Sequence, residues 1–300
     1  MSGASLKRSV AGLAPVAAAV IWLLLAGAVG ASGTAEKAPP VTVTYLANEG
    51  FLLAAGDDRV LVDALFPGIR HYARIEGETR ARLLAARAPF DDIDVVLASH
   101  YHDDHFGPTE ALAFLEASAA SVLVSTPQAL GRFQEVGGVG PSITERLHAV
   151  YPGEGSTETF ESGPLSIEIL NLHHGRKRRP PVQNLGFIID LAGFRILHVG
   201  DTEADLGDFA PYELAARKID LALLPGWFLA EPGWARVTRA IAPGVMVAMH
   251  LADPEAPASW FGSAGSSAKR KQRIRESFPG VWIPETALES RTFEATRGRP

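Results

Sequence analysis

At 300 residues with 47% hydrophobic side chains, the chain is a globular protein with ample apolar content for one large core or two small ones. Its formal charge of −6, from 28 Lys and Arg against 34 Asp and Glu, argues against a general nucleic-acid-binding surface, because affinity for phosphate backbones comes mainly from clustered cations. With no cysteine, the chain has no disulfides, no thiolate metal ligands and no lipid attachment through cysteine.

Residues 1–40 stand apart. Lys7 and Arg8 precede a nearly uncharged apolar stretch at 10–29, followed by the small residues Gly30, Ala31, Ser32 and Gly33. This is the layout of a secretory signal peptide, with cleavage expected between about Ala28 and Gly33. The stretch is also nearly long enough to span a bilayer, so an uncleaved N-terminal anchor is the alternative. Either way the folded part, a single domain over 41–300, is expected to face outward, secreted or in a periplasm. Losing residues 1–33 removes Lys7 and Arg8 and no acid, which moves the formal charge from −6 to −8.

After this leader, residues 41–46, 51–55 and 60–63 are predicted as three short strands, separated by turns at Asn48-Glu49-Gly50 and Gly56-Asp57-Asp58. Asp63, at the end of the third, is either a hydrogen-bond acceptor for a nearby metal loop or a turn-forming carboxylate. A helix is predicted at 78–88, and the apolar, β-branched run at 93–98 reads as a buried strand. That strand stops in His100-Tyr101-His102-Asp103-Asp104-His105, and a helix follows from Pro108 to about Ala117. Residues 121–125 form a strand, and Thr126-Pro127 opens a short helix.

From 137 to 163 the chain is rich in Gly, Pro, Ser and Thr and is predicted as loops with one strand near 143–150. Residues 165–172 alternate as a half-buried strand and end in His173-His174. A hairpin is predicted at 185–191 and 194–199, turning at Ala192-Gly193 and closing in Gly200-Asp201-Thr202. Strands at 219–224 and 245–249 follow, the latter ending in His250, then a helix at 267–278 and a last strand near 281–283.

Imidazole nitrogen and carboxylate oxygen are ligands that borderline divalent metals accept, and four of them within six residues converge only if the chain turns sharply. His100, His102, Asp104 and His105 form H-x-H-x-D-H, which resembles the signature of the metallo-β-lactamase superfamily of metallohydrolases. The resemblance covers about residues 41–285. It implies an α/β fold, a four-layer αββα sandwich of two mixed sheets flanked by helices, which periodicity alone does not select.

It also implies two divalent metal ions, zinc in the first place with manganese or iron as alternatives, at the edge where strands end. His100, His102 and a third histidine would hold one ion. Asp104, His105 and His250 would hold the other, with Asp201 bridging. Neighbours on a strand point to opposite faces, so only one of His173 and His174 can be the third histidine. His174, on the loop side and followed by Gly175, is preferred. His198, flanked by Leu197 and Val199, reads as a core histidine, and His71 and His148 as surface residues.

Two such ions can share a water and make hydroxide available near neutral pH, so Asp104 and Asp201 are the candidate catalytic residues, Asp104 orienting the hydroxide. No cysteine stands at the second metal, Asp201 supplies a bridging carboxylate that β-lactamases generally lack, and His102 replaces the glutamate of the di-iron oxygen-reducing branch. Antibiotic hydrolysis and oxygen reduction are therefore set aside, leaving an exported dinuclear hydrolase of an ester-type bond in a small molecule, a lactone or a phosphodiester. A metal-binding scaffold or sensor without turnover is the competing reading. Trp227 and Phe228 either wall an apolar substrate or pack in the core. The run Arg176-Lys177-Arg178-Arg179 either binds an anionic group or is a solvated loop.

Overall fold

Period-two alternation along the strands builds the architecture. The computed structural model describes residues 38–175, 181–230, 235–259 and 265–294. The expected signal peptide or anchor at 1–33 and the cationic run at 176–179 lie outside the described residues.

Thirteen strands occur among the described residues: β1 Val41–Ala47, β2 Gly50–Ala55, β3 Asp58–Val62, β4 Val95–Ala98, β5 Val122–Ser125, β6 Leu147–Ala149, β7 Thr157–Ser162, β8 Leu165–Asn171, β9 Leu185–Leu191, β10 Phe194–His198, β11 Leu221–Pro225, β12 Val245–Met249 and β13 Ser290–Phe293. They form a seven-stranded sheet, β13-β1-β2-β3-β4-β5-β6, and a six-stranded sheet, β12-β11-β10-β9-β8-β7. Both are mixed. β1 to β3 pair antiparallel and β3 to β6 parallel, while β7 to β10 pair antiparallel and β10 to β12 parallel.

In β2, β3 and β4, the side chains Phe51, Leu53, Val60, Val62, Val95 and Leu97 join Ile167, Ile169, Phe187 and Ile196 of the other sheet in one buried core. The intervening Leu52, Leu61, Val96 and Ala98 pack outward in a separate core, with Ala111, Phe114 and Leu115 of the helix Pro108–Ala117 and with Ala129 and Phe133. On the far side, Phe209, Phe228, Val237 and Ile274 come from the helices covering the second sheet. Each such apolar side chain contributes about 1.5–3 kcal/mol relative to exposure, and both faces of each sheet are covered this way. The αββα sandwich is the fold.

Several expectations need correction. The helix predicted at 78–88 is Gly77–Leu84, because Ala86 takes a left-handed conformation and the Arg87 amide bonds back to the Arg82 carbonyl, closing the last turn. The strand predicted at 143–150 is a helical turn, Pro141–Thr144, and then the shorter β6: Pro141 occupies the first helical position and starts the turn. Strand β7 lies where loops were expected. Around 281–283 there is only a bridge between Trp282 and Val247, and the closing strand is instead β13, on the edge beside β1. The cap at Thr126 is as predicted, its hydroxyl accepting from the Ala129 amide at 3.0 Å.

Candidate metal centre

The residues of interest sit where strands stop: Asn48 and Glu49 between β1 and β2, Asp63 after β3, Ser99 and His100 after β4, His173 and His174 beyond β8, Gly200 and Asp201 after β10, and His250 after β12. Backbone bonds tie these ends together across the two sheets. The His250 amide donates to the Asn48 carbonyl at 3.2 Å, and the Leu185 amide to that of Ser99 at 2.9 Å. Asn48, Asp63 and His250 all adopt positive φ, at 48°, 44° and 52°. Non-glycine residues there cost on the order of 1–3 kcal/mol each, so packing holds the centre in a strained shape.

Among the described residues, two groups of side chains converge at these strand ends, beside a third, fully buried one of Glu49, Asp63 and His198. His100, His102, His174 and Asp201 place one donor atom each within 4.8 Å of the others, and so do Glu49, His105, Asp201 and His250. Asp201 belongs to both. In the first group the His102 Nδ1 lies 2.8 Å from the His100 Nε2 and 3.3 Å from the His174 Nε2. In the second, the His250 Nε2 is 3.2 Å from Asp104 Oδ2 and 3.2 Å from Asp201 Oδ1, and the His105 Nε2 is 3.6 Å from Asp201 Oδ1 and 3.8 Å from Asp104 Oδ2.

The structure thus brings His100, His102, Asp104, His105, His174, Asp201 and His250 to one edge of the sandwich. His173 turns away, its Nδ1 3.0 Å from Asp208 Oδ1. His198 is fully buried and uses both ring nitrogens. Its Nδ1 accepts from the Gly200 amide at 3.2 Å, so its Nε2 proton goes to the Glu49 carbonyl, also at 3.2 Å. His148 is exposed, whereas His71 is half-buried, with its carbonyl accepting from the Asp253 amide. The two aromatics separate: the Trp227 ring lies 5.0 Å from that of His250, while Phe228 is buried against Phe209.

Asp63 organises the centre from behind. One oxygen accepts from the Ser99 amide at 2.7 Å, and the other from the Ser99 hydroxyl at 2.6 Å and the His105 Nδ1 at 2.8 Å. The Ser99 oxygen, its proton committed to Asp63, accepts from the His100 Nδ1 at 3.0 Å. This chain of bonds holds the Nδ1 protons of His100 and His105 outward and leaves both Nε2 atoms facing inward, where a cation would take their lone pairs. The His105 Nε2 and Asp201 Oδ1 are buried without a hydrogen-bond partner. Inward-facing Nε2 atoms, orphaned buried donors and a shared carboxylate fit a pair of divalent cations.

Electrostatics agree. Burial holds the His100 imidazole well below its usual pKa, keeping it neutral. For His105 and His250 burial acts in the same direction, but the carboxylate of Asp201, with Asp104 and others, outweighs it and raises both well above the usual value. Burial opposes ionisation of Asp201, yet His250 and His105 hold it well below the carboxylate range. Burial and the neighbouring Asp201 push Glu49 well up.

A raised histidine stabilises the metal-free fold below the ordinary histidine pKa, and that stability is lost as pH rises through the raised value. A cation must displace those protons, so each displaced proton makes metal affinity climb by about tenfold per pH unit. Calorimetry in buffers of different ionisation enthalpy is expected to show proton release on metal addition at pH 7, and the metal-induced rise in melting temperature should grow from pH 6 to pH 8. An increment independent of pH would contradict this.

Gly200, with φ of +56°, sets the approach of Asp201. A Cβ there would lie 2.8 Å from that of Ser99 and would also collide with the Asn184 amide oxygen, which accepts from the Asp201 amide. Gly200→Ala is expected to cost about 1–3 kcal/mol of stability and to weaken metal binding, as read by thermal denaturation and metal titration.

A cavity of about 430 Å³ opens onto the centre, lined by Ile69, Tyr72, His102, Asp104, Asp201 and His250 among others. A second hollow, of about 500 Å³ and bordered by Tyr101, Gln128 and Arg132, shares His102 and Asp103 with it. Sequence reasoning passed over Glu49, Asn48, Ser99 and Tyr72. Glu49 read as a turn residue, and nothing local marks it as buried.

A two-sheet αββα sandwich with histidines and carboxylates gathered at strand ends along one edge defines the metallo-β-lactamase fold class. The chain belongs to the β-lactamase superfamily: the family model described as "Beta-lactamase superfamily domain" matches residues 58–265. It is similar to a UPF0173 metal-dependent hydrolase of Thermus thermophilus, at 29% identity over 62% of this chain and 70% of that protein. Another, from Pyrococcus abyssi, is 25% identical over 72% of this chain and 89% of its own length. Among solved structures, the metallo-β-lactamase fold protein YhfI of Bacillus subtilis superposes with a TM-score of 0.58 at 18% identity, over 85% of this chain and 99% of that one. Igni18, described as a novel metallo hydrolase from Ignicoccus hospitalis, gives 0.55 at 18% identity with the same coverage.

Proposed function

We propose that the protein is an exported metal-dependent hydrolase that holds two divalent cations, with zinc as the first choice, and cleaves an ester-type bond of a small molecule. The observation that carries this reading is the sharing of Asp201 by the two donor groups. The metal-dependent hydrolases to which the chain is similar support the reaction class. His100, His102 and His174 hold the first cation, and His105, His250 and Asp104 the second. When bound, such a pair supplies an acidified water and a Lewis-acid contact for the scissile bond's oxygen.

The chain's own residues do the rest. Asp104, fixed by the Asn48 amide nitrogen 3.3 Å from its carbonyl and by His250 at 3.2 Å, stands where a carboxylate can orient the attacking oxygen. Asp63 and Ser99 lock the imidazoles, and the cavity above admits a small substrate. Export rests on the basic, apolar and small-residue succession in residues 1–33.

Chelated protein reloaded with zinc or manganese is assayed on a chromogenic phosphodiester and a chromogenic lactone, with Asp201→Ala as the blank. Metal-dependent cleavage of either one supports hydrolysis. Two bound cations with neither substrate cleaved above the blank would favour metal binding without turnover.

A further inference from the structure

We propose that Glu49 is an additional ligand of the second cation, making that position oxygen-rich and suited to a hard divalent ion such as Mn2+ or Fe2+. The proposal rests on the two-cation reading above and goes beyond its ligand set.

Glu49 is fully buried, and neither of its carboxylate oxygens has a hydrogen-bond partner. An ionised carboxylate in that state costs several kcal/mol unless a cation compensates it. The histidines do not serve as that partner. The nearest is the His105 Nδ1, at 3.4 Å from Oε2, but its proton is committed to Asp63 at 2.8 Å. His198 spends its Nε2 proton on the Glu49 backbone carbonyl and leaves the side chain alone. The carboxylate reaches donor atoms of His105, Asp201 and His250 within 4.8 Å, and likewise those of Asp63 and His198, which are already bonded to Ser99 and His105 and to the Glu49 and Gly200 backbone.

Charge and backbone fit the same conclusion. Glu49, Asp63, Asp104 and Asp201 are four carboxyl groups in and behind one centre, and two divalent cations that displace the protons of His105 and His250 balance them. Gly50 allows the close passage that delivers Glu49, since a Cβ there would stand 2.9 Å from the Asp63 carbonyl oxygen. The two positions then differ in character. The first is three imidazoles and one carboxylate, a donor set that zinc favours. The second offers Glu49, Asp104 and Asp201 with only two imidazoles, and oxygen donors favour harder ions.

Full-length protein and Glu49→Gln, both stripped of metal, are titrated with Mn2+ alone and with Zn2+ alone, free Mn2+ being read by its electron paramagnetic resonance signal. Wild type is expected to bind two Mn2+. Glu49→Gln is expected to lose at least about tenfold in Mn2+ affinity at one position, less for zinc, and to keep the other position. Glu49→Asp, which restores a carboxylate, should recover most of the Mn2+ affinity. Equal Mn2+ affinities in wild type and Glu49→Gln would overturn the proposal, as would a loss in Glu49→Gln that Glu49→Asp shares in full. A wild type that takes a single cation of either metal would instead sink the two-cation reading itself. Metal-free Glu49→Gln should melt no lower than metal-free wild type, because it replaces a buried carboxyl group that has no hydrogen-bond partner.

Discussion

Asp201→Ala is expected to lower metal-dependent hydrolysis by at least about a hundredfold and to leave fewer than two cations bound per chain, with the fold retained. Among the described residues its carboxylate alone belongs to both donor groups, with Oδ1 3.2 Å from the His250 Nε2 and Oδ2 3.9 Å from the His174 Nε2. Losing groups that merely orient metal ligands already costs about 10–100-fold, so losing the shared carboxylate should cost more. The side chain hangs at a strand end and is not part of either apolar core, which is why the sandwich should survive. Circular dichroism together with metal analysis separates the two effects. Wild-type activity in Asp201→Ala would show that the shared position has no role.

Asp63→Ala is expected to have the larger effect on stability. It strands the Ser99 amide, the Ser99 hydroxyl and the His105 Nδ1 in a fully buried setting. Removing one partner of a buried charged pair costs about 3–5 kcal/mol, and metal affinity should fall about 10–100-fold as the imidazoles lose their fixed tautomers. Asp63→Asn keeps one acceptor oxygen and the shape, so it should retain more stability than affinity. Denaturant unfolding of the metal-free proteins reads the first quantity and metal titration the second. If Asp63→Ala melts like wild type, the carboxylate does not organise the centre.

The strands and most of the centre were legible because their signals are local, whereas the sandwich and its shared edge followed from the resemblance carried by His100, His102, Asp104 and His105. Apolar runs ending in His100, Asp201 and His250 mark strands, and imidazole and carboxylate have few reasons to crowd a strand end. Alternation left room for only one of His173 and His174, and the loop-side position before Gly175 favoured His174; the structure turns His174 to the centre and His173 to Asp208. What was not legible depends on chain segments meeting. Glu49 looks like part of a turn until the chain brings Asp63, His105, His198, Asp201 and His250 around it. Strand β7 has one large apolar residue, Phe160, in a mostly exposed edge, and β13 has only Phe293, so neither carries a hydrophobic pattern. Trp227 and Phe228 are adjacent and chemically alike, and only the helical turn starting at Gly226 sends one toward His250 and the other into the core.

The most direct measurement is anomalous X-ray diffraction from crystals of the full-length, metal-loaded protein, collected on either side of the metal's absorption edge. Two peaks are expected, about 3.5–4 Å apart and both in contact with Asp201, one among His100, His102 and His174 and the other among His105, His250 and Asp104. No peak within these residues, or a single one that Asp201 does not touch, would contradict the dinuclear centre.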